Sequence, residues 1–227
     1  MRRLLIATTN EGKLREIVPL LADLPLVLVT LADYPLIGRP EETGRTFAEN
    51  ARLKARFYAE ATGLLTVAED SGLEIDALDG APGVESARWG GADATYPDKF
   101  SLIYKRLRAR GAAGSSARFV CAVALVAPDP VGTLGAFRAD REPPPSPRGR
   151  ATEAGVLFET RGTVEGQIAP EPKGDGGFGY DPVFYYPPFG CTMAEARARK
   201  LSVSHRTAAF RALRTFLEQR QPELRRT

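Results

Sequence analysis

Apolar residues along this chain occur either in short continuous runs or at helical spacing. The short or alternating runs predict strands over residues 4–7, 26–31, 64–68, 119–127 and 156–166. Apolar residues three or four positions apart predict helices over residues 14–21, 46–61 and 99–110 and after Ser204. Strands that alternate with helices indicate an α/β fold, in which helices flank a mixed, twisted sheet.

Three local signals refine this prediction. Thr46 and Glu49 have the spacing of a capping box, which begins a helix. Pro19 lies inside the first predicted helix and is expected to kink or shorten it. The segment 128–155 includes the proline-rich residues 143–147, which fit neither a helix nor a central strand. We expect this segment to form an exposed excursion between two hairpin strands, within a single domain over residues 1–227.

The composition bounds the possible functions. With 227 residues, of which 43% are apolar, the chain can bury a sizeable core. Its net charge of +3 is too small to require a nucleic acid as partner. Two distant cysteines and a single histidine, His205, argue against a disulfide framework and a multi-histidine metal site. Because no apolar run is long enough for a signal peptide or a membrane span, we expect a cytoplasmic protein without a membrane partner.

The most distinctive segment is GDGGFGYDP, residues 174–182. Its four glycines allow a tight loop whose backbone approaches a ligand closely. Phe178 and Tyr180 add two aromatic faces, and Asp175 and Asp181 add two carboxylates, which together are typical of a nucleotide pocket. The alternative is an ordinary glycine-rich turn over a buried Phe178.

The segment TTNEGK, residues 8–13, connects the first predicted strand to the first helix. Its hydroxyl groups, the free amides of a helix start and Lys13 are groups that hold a polyphosphate. The glycine spacing differs from that of a P-loop. A helix cap with a solvent-facing Lys13 is the alternative.

Acidic residues suggest a metal site. Asp70 is predicted to lie just beyond the carboxyl end of the third strand, where open α/β sheets bind ligands, before a turn at residues 71–72. Glu41 and Glu42 lie on an upstream polar loop. Carboxylates suit Mg²⁺, which binds through one or two of them together with substrate phosphates. Alternatively, Glu41 and Glu42 are ordinary surface charges.

A basic group, Lys200, His205 and Arg206, lies around the start of the last predicted helix. Exposed amides at a helix start already favour anions, so these residues are candidates for substrate binding. The alternative is a solvated basic face.

In this order, the segments resemble the inosine triphosphate pyrophosphatase family, also called the Ham1-like family of non-canonical purine nucleotide pyrophosphatases. The resemblance is carried by residues 7–13, 41–51, 69–73, 80–84, 86–88, 176–182 and 200–206. Thr9 stands where the family commonly has glycine, and Glu69 where it often has a second aspartate. The proline-rich insertion is longer than the family pattern leads us to expect.

The resemblance implies an ITPase-like α/β fold, also described as anticodon-binding-like, with two lobes around a central nucleotide cleft. It further implies a homodimer with Mg²⁺ as cofactor. The implied reaction converts ITP, dITP and XTP to the monophosphate and pyrophosphate, which removes these nucleotides before a polymerase incorporates them.

Roles for individual residues follow from the resemblance and from their chemistry. Those assigned to the triphosphate are Lys13, Lys200 and the loop residues Thr8, Thr9, Asn10, Glu11 and Gly12. Those assigned to Mg²⁺ are Glu41 and Asp70, and Asp70 is also the candidate general base. Those assigned to the rest of the substrate are Ser71, Gly179 and Asp181, with Phe178 and Tyr180 stacking on the base and His205 and Arg206 donating to its 6-oxo group.

Other functions stay open at this point. A Maf-like nucleotide pyrophosphatase would share the architecture but prefer other nucleotides. A non-catalytic nucleotide-binding regulator would not need Asp70, Glu41 and Lys13 together. A nucleic-acid-binding module fits the near-neutral charge poorly.

Overall fold

The computed structural model describes residues 2–91, 93–112, 114–128 and 155–220. The strands are β1 (Arg3–Ile6), β2 (Val27–Thr30), β3 (Leu65–Ile75), β4 (Ser116–Val126), β5 (Val156–Ile168), β6 (Phe184–Tyr186) and β7 (Cys191–Thr192). The α-helices are α1 (Glu11–Leu21), α2 (Phe47–Thr62), α3 (Tyr96–Ala109), α4 (Met193–Ala196) and α5 (His205–Gln219). The proline-rich residues 143–147, which we expected in an exposed excursion, lie outside the described residues.

The strands of the described ranges form one sheet in the order β2-β1-β3-β4-β5-β6-β7. β1 pairs in parallel with β2 and β3, and every later pairing is antiparallel. The predicted α/β fold with a mixed sheet flanked by helices is therefore confirmed. Within the described residues, no helix is long and apolar enough to cross a membrane.

The third strand is longer than its apolar run. We expected it to end at Ala68, before a turn at residues 71–72, and this was wrong. β3 continues to Ile75 because β4 supplies antiparallel partners along this whole length, with Asp70 opposite Ala122. The candidate carboxylate therefore lies within the sheet rather than beyond the end of a strand.

Side-chain caps fix where the helices begin. The hydroxyl of Thr46 accepts a hydrogen bond from the amide of Glu49 at 3.2 Å, and the Glu49 carboxylate accepts one from the amide of Thr46 at 3.1 Å. This confirms the predicted capping box. Asn10 caps α1, and Ser204 caps α5. Pro19 stays inside α1, which ends two residues later.

Three apolar clusters hold the helices against the sheet. Helices α1 and α5 pack on one face of β1, β3 and β4, around Ile17 and Phe210. Helix α2 packs through Ala51 on the opposite side of these strands. Helix α3 packs through Ile103 against the later parts of β3 and β5 and the first part of β4. Residues 69–72 of β3 lie between these clusters, where helices from both halves of the chain approach the sheet.

Helix α5 approaches β5 most closely at Gly162. A Cβ atom at this position would overlap the carbonyl oxygen of His205 and lie 2.8 Å from the amide of Ala209. Gly162→Ala should therefore push α5 outward and lower the free energy of unfolding by about 1–3 kcal/mol, measured by urea denaturation. Gly38→Ala is the control, since nothing lies within 4 Å of its added Cβ. Equal losses in the two variants would contradict the close packing.

Candidate functional site

A cavity of about 730 Å³ lies between the β1–α1 loop, β3 and the glycine-rich loop before β6. Its volume is in the range of small-molecule binding sites. The residues predicted from the sequence that line it are Thr8, Thr9, Asn10, Lys13, Glu41, Ser71, Phe178, Gly179, Tyr180, Asp181, Lys200, His205 and Arg206. The predicted residues Glu11, Gly12 and Asp70 do not line it. The cavity is also lined by residues to which we assigned no role from the sequence, including Arg39, Glu42, Lys54, Ser86, Arg88 and Tyr96.

Lys13 and Glu69 form an ion pair on the cavity wall. The Lys13 Nζ atom, in the first turn of α1, lies 2.7 Å from the Oε1 atom of Glu69 on β3. Burial alone would raise the pKa of Glu69, but the cations of Lys13, Arg206 and Lys54 outweigh burial and hold that pKa well below its usual range. Glu69 is therefore ionised at neutral pH, and Lys13 lines the cavity rather than projecting into bulk solvent.

Glu16 of α1 connects the two cations of the C-terminal basic group. Its carboxylate lies 2.9 Å from the Nζ atom of Lys200 and 2.7 Å from the Nη1 atom of Arg206. Lys200 also contacts Asp181 at 2.7 Å. The Nη2 atom of Arg206 donates a hydrogen bond to the hydroxyl of Ser71 at 2.9 Å. Lys200 and Arg206 are buried, so this group is not a solvated basic face.

We did not single out Glu16 from the sequence, although one signal was available. Glu16 follows Gly12 by four residues and therefore lies on the same side of α1. Both residues are buried, together with Ile17 and Leu21. A carboxylate on an otherwise buried helix face requires a cationic partner, and that partner is 190 residues away in the chain.

Lys54 of α2 is a second site residue that our assignment lacked. Its Nζ atom lies 2.9 Å from the Oδ1 atom of Asp70 and 3.0 Å from the Oε1 atom of Glu42. Asn50 donates a hydrogen bond to the other oxygen of Asp70 at 3.1 Å. Helical spacing places Lys54 on the side of α2 that carries buried residues such as Ala51, and this was the signal in the sequence.

Asp70 does not line the cavity itself, but it contacts Lys54, which does. Burial raises the pKa of Asp70, and the opposite effect of Lys54 does not cancel this increase. Glu41 lines the cavity but is exposed, and it has no ion pair with any residue that the structure describes. Glu42, rather than Glu41, shares the ammonium group of Lys54 with Asp70.

No group of three or more His, Cys, Asp or Glu side chains in the described part of the chain is arranged to hold a metal ion. Asp70 and Glu42 nevertheless hold a cation between them, the ammonium group of Lys54. Mg²⁺ requires hard oxygen ligands, and one or two carboxylates suffice when substrate phosphates supply the rest. The donor set therefore fits Mg²⁺, with Glu41 at the cavity wall as a further candidate ligand.

The glycine-rich loop presents Phe178 beside the buried cations. Gly177 and Gly179 have φ values of +72° and +68°, a region that favours glycine. The amide of Phe178 donates a hydrogen bond to the carboxylate of Asp181 at 2.8 Å. The Nζ atom of Lys200 lies 4.5 Å from the centroid of the Phe178 ring. The ring is half-buried and lines the cavity, so it is available to a flat ligand.

Tyr180 is held more tightly than Phe178. Its side chain is almost fully buried, and its hydroxyl donates a hydrogen bond to the carbonyl oxygen of Ser86 at 2.8 Å. Only a small part of the ring reaches the cavity. Stacking on a base by Tyr180 stays a prediction.

His205 has a polar atom that no described residue satisfies. Its ring stacks on Phe119 with centroids 5.0 Å apart, and its Nδ1 atom is buried without a hydrogen-bond partner. Burial, together with the nearby cations of Arg206 and Lys200, lowers the pKa of His205 well below its usual value. The imidazole is therefore neutral, and His205 lines the cavity beside these cations.

Glu16→Gln keeps the shape of the side chain but removes the negative charge between Lys200 and Arg206. Breaking a buried ion pair leaves an uncompensated charge, so the free energy of unfolding should fall by about 3 kcal/mol, measured by urea denaturation. Glu159→Gln is the control, since it removes a surface pair with Arg52 and should cost less than about 1 kcal/mol. A similar small loss in both variants would show that Glu16 is not needed to balance these cations.

Comparison with known proteins places this arrangement in a family. A model of the Ham1 family matches residues 4–140 and 147–216. The dITP/XTP pyrophosphatase of Dictyoglomus thermophilum is 40% identical over 96% of this chain and 95% of its own length, and that of Thermus thermophilus is 43% identical over 93% and 89%. The structure of a HAM1 protein from Coxiella burnetii has a TM-score of 0.80 at 36% identity and covers 96% of this chain and 100% of its own. The chain therefore belongs to the Ham1 family, as the sequence motifs predicted.

Proposed function

We propose that this protein is a nucleoside triphosphate pyrophosphatase that hydrolyses ITP, dITP and XTP to the monophosphate and pyrophosphate. The observation that carries this proposal is a single cavity lined by two kinds of group. Lys13 and Lys54 are suited to phosphates, whereas Phe178, His205 and Arg206 are suited to a purine base. The names of the relatives, dITP/XTP pyrophosphatases, support the same substrate class.

The phosphate-binding groups come from the start of α1 and from α2. Thr8, Thr9 and Asn10 supply hydroxyl and amide groups next to the free amides of the α1 N-terminus. Lys13 and Lys54 supply positive charge. Negative charge accumulates on the leaving pyrophosphate as the bond between the α-phosphorus and the bridging oxygen breaks, and fixed cations stabilise this charge.

Asp70 is the general base in this proposal. A water oxygen forms the new bond to the α-phosphorus, and the proton of that water passes to the carboxylate of Asp70. Because burial raises the pKa of Asp70, its carboxylate accepts a proton more readily than an exposed aspartate does. Asp70, with Glu41 or Glu42, would hold Mg²⁺, and the bound ion would supply further positive charge to the phosphates.

Base selection rests on hydrogen-bond donors. A 6-oxo purine presents an oxygen acceptor where adenine presents an amino group. Arg206 only donates, and neutral His205 donates from whichever ring nitrogen carries the proton. The 6-amino group of ATP would present a donor, rather than an acceptor, to His205 and Arg206, and a mismatch of this kind discriminates by roughly 10⁴-fold or more. The family resemblance also leads us to propose a homodimer located in the cytoplasm.

The proposal is tested by measuring pyrophosphate release from ITP, dITP, XTP, GTP, ATP, dTTP and UTP, with Mg²⁺ and after chelation. We expect the highest kcat/KM for ITP, dITP and XTP and loss of activity on chelation. A preference for dTTP or UTP would instead indicate a Maf-like specificity. Binding of ITP without turnover would indicate a non-catalytic regulator.

Asp70→Asn should lower the Mg²⁺-dependent kcat for ITP by about 10²–10⁴-fold, because the amide cannot accept the proton. The folded-state pKa of Asp70 is raised, so its stabilising effect is greatest at low pH and is lost as the pH rises through that pKa. At pH 7 the Asn variant should therefore be at least as stable as the wild type in urea denaturation.

The matched control is Asp79→Asn, which changes an exposed aspartate paired with Arg110. It should leave kcat unchanged. Wild-type activity in Asp70→Asn would remove Asp70 from the chemistry. A large loss of stability in that variant would contradict the argument from its pKa.

His205→Phe keeps a ring that can stack on Phe119 but removes both ring nitrogens. If the imidazole donates to the 6-oxo group, kcat/KM for ITP should fall by about tenfold while that for ATP changes little. The control is Tyr104→Phe, which removes a hydroxyl that donates to the carbonyl oxygen of Ala169 away from the cavity. An unchanged ratio of ITP to ATP turnover in His205→Phe would refute base reading by His205.

A further inference from the structure

Tyr96 is the first residue of α3 and lines the cavity. Its side chain is 40% exposed. Among the described residues, the large apolar side chains that are exposed include Tyr96, Val27, Phe57 and Leu157, and of all of them only Tyr96 faces the cavity. An aromatic ring that stays accessible in a concave polar site is suited to contact a ligand.

The ring of Tyr96 is held in place from several sides. It meets the edge of the Tyr180 ring at 89°, with centroids 5.5 Å apart. The Nζ atom of Lys99 lies 4.8 Å from the centroid of the Tyr96 ring. This Nζ atom is fixed by a hydrogen bond that it donates to the carbonyl oxygen of Ala87 at 2.7 Å. Thr95 caps the helix at this point. The exposed part of the ring is therefore presented to the cavity in a defined orientation.

The hydroxyl of Tyr96 has no hydrogen-bond partner in the part of the chain that the structure describes. Two nearby tyrosines differ in this respect, because Tyr180 donates to Ser86 and Tyr104 donates to Ala169. The Tyr96 hydroxyl lies beside the glycine-rich loop, 3.5 Å from the position that a Cβ atom on Gly179 would occupy. It is therefore free to hydrogen bond with a ligand that lies along this loop.

The surroundings of Tyr96 indicate which part of a nucleotide it meets. Burial and the negative charge of Asp181 raise the pKa of Tyr96, so the hydroxyl stays protonated at neutral pH. A protonated phenol carries no charge, so it can donate a hydrogen bond to, or accept one from, an uncharged hydroxyl group. The cations suited to phosphates lie on α1 and α2, and the buried donors His205 and Arg206 lie on α5. The uncharged part that connects base and phosphates is the sugar.

We propose that Tyr96 is a substrate-contacting residue whose hydroxyl hydrogen bonds to a sugar hydroxyl of the bound nucleotide and whose ring packs against the sugar. This inference rests on the proposed function and adds a contact to the same site.

The test compares ITP with its 2′,3′-dideoxy analogue in the wild type and in Tyr96→Phe. Loss of one uncharged hydrogen bond should raise KM for ITP by about threefold to tenfold, with kcat within about twofold of the wild type. KM for the dideoxy analogue should be the same in both proteins, since this analogue has no sugar hydroxyl to bind. Tyr185→Phe, a tyrosine of β6 outside the cavity, is the control and should change neither value.

Tyr96→Ala should raise KM for both nucleotides, because it also removes the ring contact. An unchanged KM for ITP in Tyr96→Phe would overturn the inference. An equal increase for ITP and for the dideoxy analogue would overturn it as well, because the contact would then be to the base. Wild-type protein that hydrolyses no purine triphosphate would overturn the proposed function instead.

Discussion

The site depends on buried carboxylates that balance its buried cations. Arg206 is 1% exposed, and without Glu16 and Glu69 its charge would cost several kcal/mol to remove from water. Lys13 and Lys200 rely on the same two acids. Because these residues come from α1, β3, the turn before α5 and the start of α5, the balance of charge is achieved only when these parts of the chain meet. The positions of the cations are therefore fixed before any substrate binds.

Neighbouring acids on one strand have opposite electrostatic environments. Lys13 and Arg206 contact Glu69 and, together with the more distant Lys54, hold its pKa well below the usual range, whereas burial raises the pKa of Asp70. The side chains point to opposite faces of β3 because successive residues of a strand alternate. Environments that push the pKa values of two acids apart also separate their roles. Glu69 is suited to stay ionised and anchor Lys13, and Asp70 is suited to take up a proton.

The periodicity of apolar residues predicted β1 to β5 and the helices α1, α2, α3 and α5, because each of these elements packs one face against a core, but it did not predict the short elements β6, β7 and α4. It also misplaced the end of β3, where the polar residues 69–72 interrupt the apolar run although β4 continues to pair with them. Motifs located most of the cavity lining. Glu16 and Lys54 were missed because their importance lies in contacts with Arg206 and Asp70, which are distant in the chain. Spacing within a helix shows that such a residue is buried but not which partner it meets.

The two sides of the cavity are built from different kinds of element, a helix and a glycine-rich loop. His205 and Arg206 belong to a long helix that packs against β5 at Gly162, where an added Cβ atom would overlap the carbonyl oxygen of His205. Phe178 belongs to the glycine-rich loop, where its amide donates a hydrogen bond to Asp181 and its ring contacts Lys200. Hydrogen-bond donors discriminate only when they cannot move to suit a wrong partner, whereas a stacking ring tolerates small shifts. In the proposed function, the donors that read the base therefore lie on the helix side of the cavity and the stacking ring lies on the loop side.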